Sequence, residues 1–137
     1  MTREVAAQLD GTGVLVCVDV QTGMLSYLRA RRDLAAVHLV CASGDALPFR
    51  NGVFDRAYMA SALGEIRNKQ RALAECARVL AEGGRCAVSE PVLDPDFVSS
   101  ARLSELAQNV SLLMGPRSAS WRHYTQTLTK RTAPPQS

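Results

Sequence analysis

Residues 54–90 of the chain read FDRAYMASALGEIRNKQRALAECARVLAEGGRCAVSE, and this stretch decides the fold class. Its first six residues, 54–59, predict a β-strand, and residues 85–89 predict a second strand. Between them, residues 69–80 predict a helix because apolar side chains recur there at helical spacing. The glycine pair at 83 and 84 is expected to cap this helix, since glycine readily adopts the left-handed conformation of a helix end. The order of strand, helix and strand indicates a parallel β-α-β unit.

The same alternation extends toward both ends of the chain. Further helices are predicted over residues 3–9, 22–32 and 99–108, and further strands over residues 14–18, 37–41, 110–114 and 123–129. The apolar run at 14–18 is typical of a parallel strand that is buried on both faces. The last two strands are expected to pair antiparallel at one edge, joined by a turn at Gly115-Pro116. We therefore expect an α/β fold with a mostly parallel sheet, one domain over residues 1–131 and a disordered tail over residues 132–137.

Composition and charge limit the class of protein. A length of 137 residues and a hydrophobic fraction of 47% suit one globular domain. A net charge of +3 does not by itself indicate a nucleic acid partner, and no apolar run reaches the roughly 18 residues that a membrane span needs. The charged N-terminus does not fit a signal peptide, so a cytoplasmic location is expected. The four cysteines form no C-x-x-C pair, so no zinc site is indicated, and we expect them to be small buried side chains.

Candidate ligand-binding residues follow the predicted strands, because ligands of open α/β sheets bind beyond the carboxyl ends of the strands. The residues at these positions are Asp19, Gly44, Asp45, Ala46, Ser61, Ala62 and Glu90. An acid in the position of Asp19 commonly accepts hydrogen bonds from the ribose hydroxyls of a nucleotide-like ligand. Two simpler interpretations stay open, in which Asp19 caps the following helix and Asp45 is an ordinary turn residue.

Three segments carry a resemblance to a known family. They are VCVDVQTGML at residues 16–25, GDALPFRNGVFD at residues 44–55, and residues 62–97, which hold Arg-Val-Leu, a Gly-Gly turn and a strand that ends in Ser-Glu. In this order they resemble class I S-adenosylmethionine-dependent methyltransferases, nearest to the ubiquinone/menaquinone-biosynthesis-like small-molecule type. The resemblance covers about residues 5–130. It implies a Rossmann-like methyltransferase sheet, S-adenosylmethionine as cofactor, and methyl transfer to a small-molecule acceptor.

The resemblance also implies a set of cofactor-binding residues, which are Asp19, Val20, Met24, Gly44, Asp45, Ala46, Ser61 and Ala62. Asp19 would hold the ribose hydroxyls, and Val20 and Met24 would pack on the adenine. Asp45 would accept a hydrogen bond from the adenine amino group, and Ala46 would donate its backbone N–H to the ring. Met24 as a plain core residue is the competing interpretation.

The methionine part of the cofactor and the catalytic step are less defined. The resemblance places Ser61 and Ala62 beside the methionine part. No motif selects a catalytic residue, and the candidates for a general base are Glu90, Asp94, Asp96, His123 and Tyr124. The three acids among them could also suggest a metal site, but a solvated loop between prolines is favoured and no metal is expected.

One family motif is absent from this sequence. The family's first strand, glycine-rich loop and helix have no counterpart, and Gly11-Thr12-Gly13 follows a helix and precedes a strand, which is the wrong order. Residues 10–13 are expected to form a turn instead. We therefore expect an N-terminally truncated domain that lacks its first strand, binds cofactor weakly or not at all, and self-associates through exposed sheet edges.

The alternative is a non-catalytic fragment or pseudoenzyme that acts as a protein-binding partner. A dehydrogenase is disfavoured by the segment at 44–55 together with the Arg-Val-Leu and Gly-Gly residues that follow it. A phosphate-loop enzyme is excluded because the sequence has no G-x-x-x-x-G-K-[ST] motif.

Overall fold

The computed structural model describes residues 2–9 and 11–135 of the chain. Met1, Asp10 of the predicted turn, and residues 136–137 of the predicted tail lie outside the described residues. The chain divides into two compact units, Met1–Gly44 and Asp45–Ser137. The prediction of one domain over residues 1–131 stays a prediction.

The first unit contains a two-stranded parallel sheet with helices. Its elements are α1 (Thr2–Leu9), β1 (Val16–Asp19), α2 (Thr22–Arg29), a short 3-10 helix (Arg32–Leu34) and β2 (His38–Cys41). Strands β1 and β2 pair in parallel, with Val16 opposite His38. The buried apolar side chains of this unit, among those described, are Leu25 and Leu34. The unit is therefore a small parallel layer with a thin core.

The second unit holds a four-stranded sheet and most of the core. Its elements are β3 (Phe54–Ala60), α3 (Lys69–Val79), β4 (Leu80–Pro91), α4 (Ser100–Gln108), β5 (Leu112–Ala119) and β6 (His123–Lys130). The strand order is β3-β4-β6-β5. Strands β3 and β4 are parallel, whereas β6 is antiparallel to both β4 and β5. Buried side chains of both helices, among them Leu73 of α3 and Leu103 of α4, form one core cluster with Leu128 of β6.

The two helices of the second unit begin at side-chain caps. Asn68 Oδ1 accepts the backbone N–H of Arg71 at 3.0 Å, and Ser99 Oγ accepts the N–H of Arg102 at 3.1 Å. Such a cap satisfies an N–H group that lacks a partner inside the helix, and it contributes about 1 kcal/mol. These contacts explain why α3 and α4 begin where they do.

The expected glycine cap after α3 is wrong. The chain becomes extended at Leu80, where β4 starts directly, and the glycines lie inside this strand. Phe54 faces Leu80 and Arg56 faces Arg85, so β4 advances five residues while β3 advances two. The extra residues bulge, and Gly83 supplies the positive φ of 72° that the bulge needs.

The expected turn at Gly115-Pro116 is also wrong. Both residues lie inside β5, and the hairpin reverses between Ala119 and His123. Proline is tolerated there because β5 is an edge strand and the register is irregular at this point. The buried side chain of Gln126 provides a hydrogen bond in this irregular segment, since its Nε2 donates to the Gly115 carbonyl at 2.7 Å.

The α/β fold class with an antiparallel C-terminal edge is confirmed, although within residues 2–9 and 11–135 two of the four strand pairings are parallel and two are antiparallel. The first predicted strand is shorter than expected and half-buried, and Val14 before it is 72% exposed. Among the described residues β1 pairs with β2 alone, which leaves its other edge without a strand. The helix predicted over 22–32 ends at Arg29. The expectation of buried cysteines is correct for Cys76 and Cys86 and wrong for the exposed Cys41.

Candidate cofactor site

Asp19 is the last residue of β1, at the carboxyl end of the strand. Its Oδ1 accepts the backbone N–H of Gln21 at 2.8 Å, which fixes the carboxylate just before α2. The N-cap residue of α2 is Gln21, so the interpretation of Asp19 as a helix cap is wrong. The carboxylate is therefore held at a strand end without capping the helix.

Two apolar side chains lie close to Asp19 in the chain and are exposed. Val20 is 61% exposed and Met24, in the first turn of α2, is 46% exposed. Exposed Met24 is not the plain core residue of the competing interpretation. A carboxylate followed by uncovered apolar surface fits a nucleoside, which offers hydroxyl donors and an apolar ring in one ligand. The first unit thus contains residues that fit the cofactor which the resemblance implies.

The next predicted residues lie on either side of the boundary between the units. Gly44 closes the first unit, whereas Asp45 and Ala46 open the second and begin a loop that runs to Gly52. Glu75 and Arg78 of α3 bind the backbone of this loop. The sequence reasoning missed both residues, although an acid and an arginine three positions apart on one helix are a recognisable signal.

Ser61 and Ala62 follow β3 directly. The backbone N–H of Ser61 donates to the Ser89 carbonyl at 2.8 Å, which joins this segment to β4. Ser61 has a φ of 50°, in the left-handed region. A non-glycine residue in this region costs about 1 kcal/mol or more, and such strain concentrates at functional sites.

Glu90 lies beside this segment and is 1% exposed. The backbone N–H groups of Leu63, Gly64 and Val98 point toward its carboxylate, and Oε1 has no hydrogen-bond partner. Burial raises the pKa of Glu90, the three N–H groups oppose this rise, and the charge of Asp94 adds to it. Glu90 therefore ties the segment after β3 to the segment before α4.

The other candidates for a general base divide by burial. Tyr124 is buried and donates its hydroxyl to the Val98 carbonyl. Burial, followed by the charge of Glu90, raises the pKa of Tyr124 to about 12. Asp94 Oδ1 accepts the backbone N–H of Asp96 at 2.8 Å, and His123 is exposed. No group of three or more acidic, histidine or cysteine side chains within residues 2–9 and 11–135 could hold a metal ion.

Solved structures share the fold of this chain. A SAM-dependent methyltransferase from Aquifex aeolicus superposes with a TM-score of 0.82 at 16% identity, covering 93% of this chain and 74% of that one. The cyclase SpnF superposes with a TM-score of 0.79 at 17% identity, covering 95% and 71%. These likenesses establish the Rossmann-like fold, which proteins of differently named activities share. In the part of the chain that the structure describes, no helix is long and apolar enough to cross a membrane.

Curated proteins are similar in sequence over part of their length. The mitochondrial 2-methoxy-6-polyprenyl-1,4-benzoquinol methylase of Leishmania donovani is 40% identical over 85 residues, which is 60% of this chain and 29% of that protein. The ubiquinone/menaquinone biosynthesis C-methyltransferase of Erwinia tasmaniensis is 33% identical over 102 residues, which is 69% and 41%. The chain thus spans less than half the length of these relatives. The family model described as a methyltransferase domain matches residues 1–88. The chain therefore belongs to the methyltransferase domain family, as the resemblance of its motifs predicts.

Proposed function

We propose that this chain binds S-adenosylmethionine and serves methyl transfer to a small-molecule acceptor. The carboxylate of Asp19 carries the proposal, because it ends β1, is fixed by the N–H of Gln21, and precedes exposed apolar surface. The family match and the names of the similar proteins agree with this reaction. Those names also suggest a quinol-type acceptor. The activity is a proposal because the chain spans less than half of those relatives.

When bound, the cofactor would supply an electrophilic methyl group: the acceptor's nucleophilic atom would form a bond to the methyl carbon, and the C–S bond would break to leave S-adenosylhomocysteine. In the first unit, Asp19 would accept hydrogen bonds from the ribose hydroxyls, and Val20 and Met24 would cover the adenine. Gly44 would lie where that unit ends. Holding the reactants in line is the main task of a protein in such a displacement.

In the second unit, the proposed contacts fall on two segments. Asp45 would accept from the adenine amino group, and Ala46 would donate its N–H to the ring. Ser61 and Ala62 would line the methionine part, held in place by the hydrogen bond to Ser89. No catalytic residue is assigned, because Glu90 and Tyr124 are buried, and the three other candidates lie on a loop or at a strand end.

The experiment that tests this function is isothermal titration of the chain with S-adenosylhomocysteine. Asp19→Asn is the informative variant, because it keeps an oxygen for the Gln21 N–H and removes the charge. We expect it to weaken binding by roughly tenfold or more, since charge-assisted hydrogen bonds contribute about 1.5–3 kcal/mol. Asp55→Asn, at an exposed position of β3, is the matched control and should bind like the wild type.

A folded wild-type chain that does not bind S-adenosylhomocysteine would contradict the proposed function. Equal affinity of the wild type and Asp19→Asn would contradict the assignment of Asp19. If binding is found, the release of S-adenosylhomocysteine from S-adenosylmethionine in the presence of a quinol is the test of methyl transfer.

Self-association is a separate proposal about partners. Among the described residues, β1 pairs with β2 alone and β3 pairs with β4 alone, so each has one edge without a strand. Unpaired edges favour association between chains. A molar mass that rises with concentration in light scattering would support it, and a constant monomer mass would contradict it.

The comparisons favour methyl transfer over the alternative of a non-catalytic binding partner. The cytoplasmic location stays a prediction.

A further inference from the structure

We propose that Glu75 and Arg78 of α3 are positioning residues that hold the loop of residues 45–52 in the conformation that recognises the adenine ring. We call this pair the α3 clamp. The inference rests on the proposed function, since that function places Asp45 and Ala46 of the loop against the adenine.

The side chain of Arg78 binds the loop at three places, and its backbone carbonyl binds it at a fourth. Its Nη2 donates to the Leu47 carbonyl at 2.9 Å, and its Nη1 donates to the Phe49 carbonyl at 2.6 Å and to Asn51 Oδ1 at 3.0 Å. The Arg78 carbonyl accepts the N–H of Gly52 at 2.9 Å. One residue of α3 thus fixes alternate positions along the loop. A planar guanidinium suits this task because its donors have a rigid spacing.

Glu75 completes the clamp. Its Oε2 accepts the backbone N–H of Leu47 at 2.8 Å, while Oε1 accepts Arg78 Nε at 2.7 Å. Leu47 is therefore held at both its N–H and its carbonyl, directly after the two residues proposed to contact adenine. The hydrogen bond from Arg78, and then that from the Leu47 N–H, lower the pKa of Glu75, so the pair is charged at neutral pH.

A second arginine–glutamate pair shows that this arrangement is not a general property of helices here. Arg102 and Glu105 of α4 have the same spacing and lie 3.0 Å apart, but their side chains are 58% and 66% exposed. Those of Arg78 and Glu75 are 31% and 18% exposed. Surface pairs of the first kind contribute little. The α3 clamp is more buried and its hydrogen bonds end on loop backbone, so it orders a segment of chain.

An aromatic contact also fixes the middle of the loop. The ring of Phe49 meets that of Phe54 in β3 edge to face, with centroids 5.0 Å apart. A loop that is ordered before the ligand arrives loses less conformational entropy on binding. The clamp would therefore raise affinity, and by fixing Asp45 it would raise selectivity for the adenine amino group.

The test is Arg78→Gln, with Arg102→Gln as the matched control. Amide hydrogen exchange by NMR reports on the loop without ligand, and titration with S-adenosylhomocysteine and S-inosylhomocysteine reports on recognition of the adenine amino group. In Arg78→Gln we expect Leu47 and Gly52 to exchange at least tenfold faster, and the preference for the adenine ligand to fall toward one. Arg102→Gln should match the wild type in both measurements.

The ratio of the two affinities separates positioning from general destabilisation, because a merely less stable protein loses both affinities equally. Arg78→Lys keeps the charge and serves if the Gln variant does not fold; it should retain part of the preference. Unchanged exchange at Leu47, or an unchanged affinity ratio, would overturn the proposal. If the wild type binds neither ligand, the proposed function fails, and exchange at Leu47 and Gly52 then decides whether the clamp orders the loop.

Discussion

Glu90 combines full burial with a carboxylate oxygen that has no partner, and this makes stability depend on pH. Its folded-state pKa is raised above the ordinary value of 4.5, chiefly by burial and further by Asp94. The folded protein therefore binds the proton more tightly than the unfolded chain does. The contribution of protonated Glu90 to stability is complete below the pKa of this residue in the unfolded chain. It is lost as pH rises through the pKa of Glu90 in the folded protein.

We expect Glu90→Gln to remove this dependence, because the amide stays neutral. The free energy of unfolding of Glu90→Gln minus that of the wild type should be larger at pH 8 than at pH 4.5. Urea denaturation of both proteins at both pH values measures this difference. All other groups titrate in both proteins, so the difference isolates Glu90. A difference that does not change with pH would contradict the raised pKa.

The cysteines provide a second residue-scale prediction. Cys41 is exposed, whereas Cys76 and Cys86 are buried. The hydrogen bond with Cys76, followed by burial, raises the pKa of Cys86, and thiolate is the reactive form. Iodoacetamide at neutral pH should therefore modify Cys41 first, and Cys76 and Cys86 only after unfolding. Mass spectrometry of a time course measures this order, and early modification of Cys86 would contradict it.

At the residue scale, the sequence was enough to predict which residues follow the strands, but not which side chains hold the neighbouring loop in place. Asp19 and Ser61 follow strands, so their positions follow from chain order. The roles of Glu75 and Arg78 depend on contacts with a loop that is more than 20 residues away in sequence. Spacing on one helix shows that the pair can meet, but it contains no information about which loop lies beside the helix.

At the scale of elements, Gly64 shows how closely two segments approach. A Cβ at this position would collide with the backbone carbonyl of Asp96. We expect Gly64→Ala to destabilise the second unit by about 1–3 kcal/mol, the usual cost of overpacking against atoms that cannot move away. Urea denaturation followed by circular dichroism is the measurement.

The control for this substitution is Gly23→Ala in α2. A Cβ there meets nothing within 4 Å, and the residue lies inside a helix. Alanine is more stable than glycine by roughly 0.5–1 kcal/mol in the middle of a helix, and Gly23 lies in the first turn, so this variant should keep or gain stability. Losses of equal size in both variants would show that the close approach at Asp96 does not determine the effect.

Element type was predictable from periodicity, whereas strand details were not. The apolar spacing of residues 69–80 was enough to locate α3, and the apolar runs located the strands. The glycines at 83 and 84 were expected to cap a helix, yet they form a bulge against β3. The bulge exists because β4 has more residues than β3 between the same two paired positions. The sequence of β4 alone does not show how many residues β3 contributes there. Pro116 was expected in a turn, but an edge strand tolerates a proline that a central strand would exclude, and the sequence alone does not show which strand lies at the edge.

At the scale of the whole molecule, the two units differ in how much core they contain. The second unit buries a continuous cluster that includes Leu73, Leu103, Tyr124 and Leu128. In the first unit, the buried apolar residues among those described are Leu25 and Leu34. A fully buried leucine contributes about 1.5–3 kcal/mol, so the smaller core leaves the first unit with less to offset its conformational entropy.

We therefore expect the first unit to open more easily than the second. Amide hydrogen exchange read by mass spectrometry should show β1, α2 and β2 at least tenfold less protected than β4 and β6, because exchange follows local opening free energies. Saturating S-adenosylhomocysteine should raise protection around Asp19 and Met24 if the proposed function is correct, since a ligand that binds the folded state stabilises it. Equal protection of the two sheets without ligand would contradict the argument from core size. Unequal protection that the ligand leaves unchanged would keep that argument and count against the cofactor site.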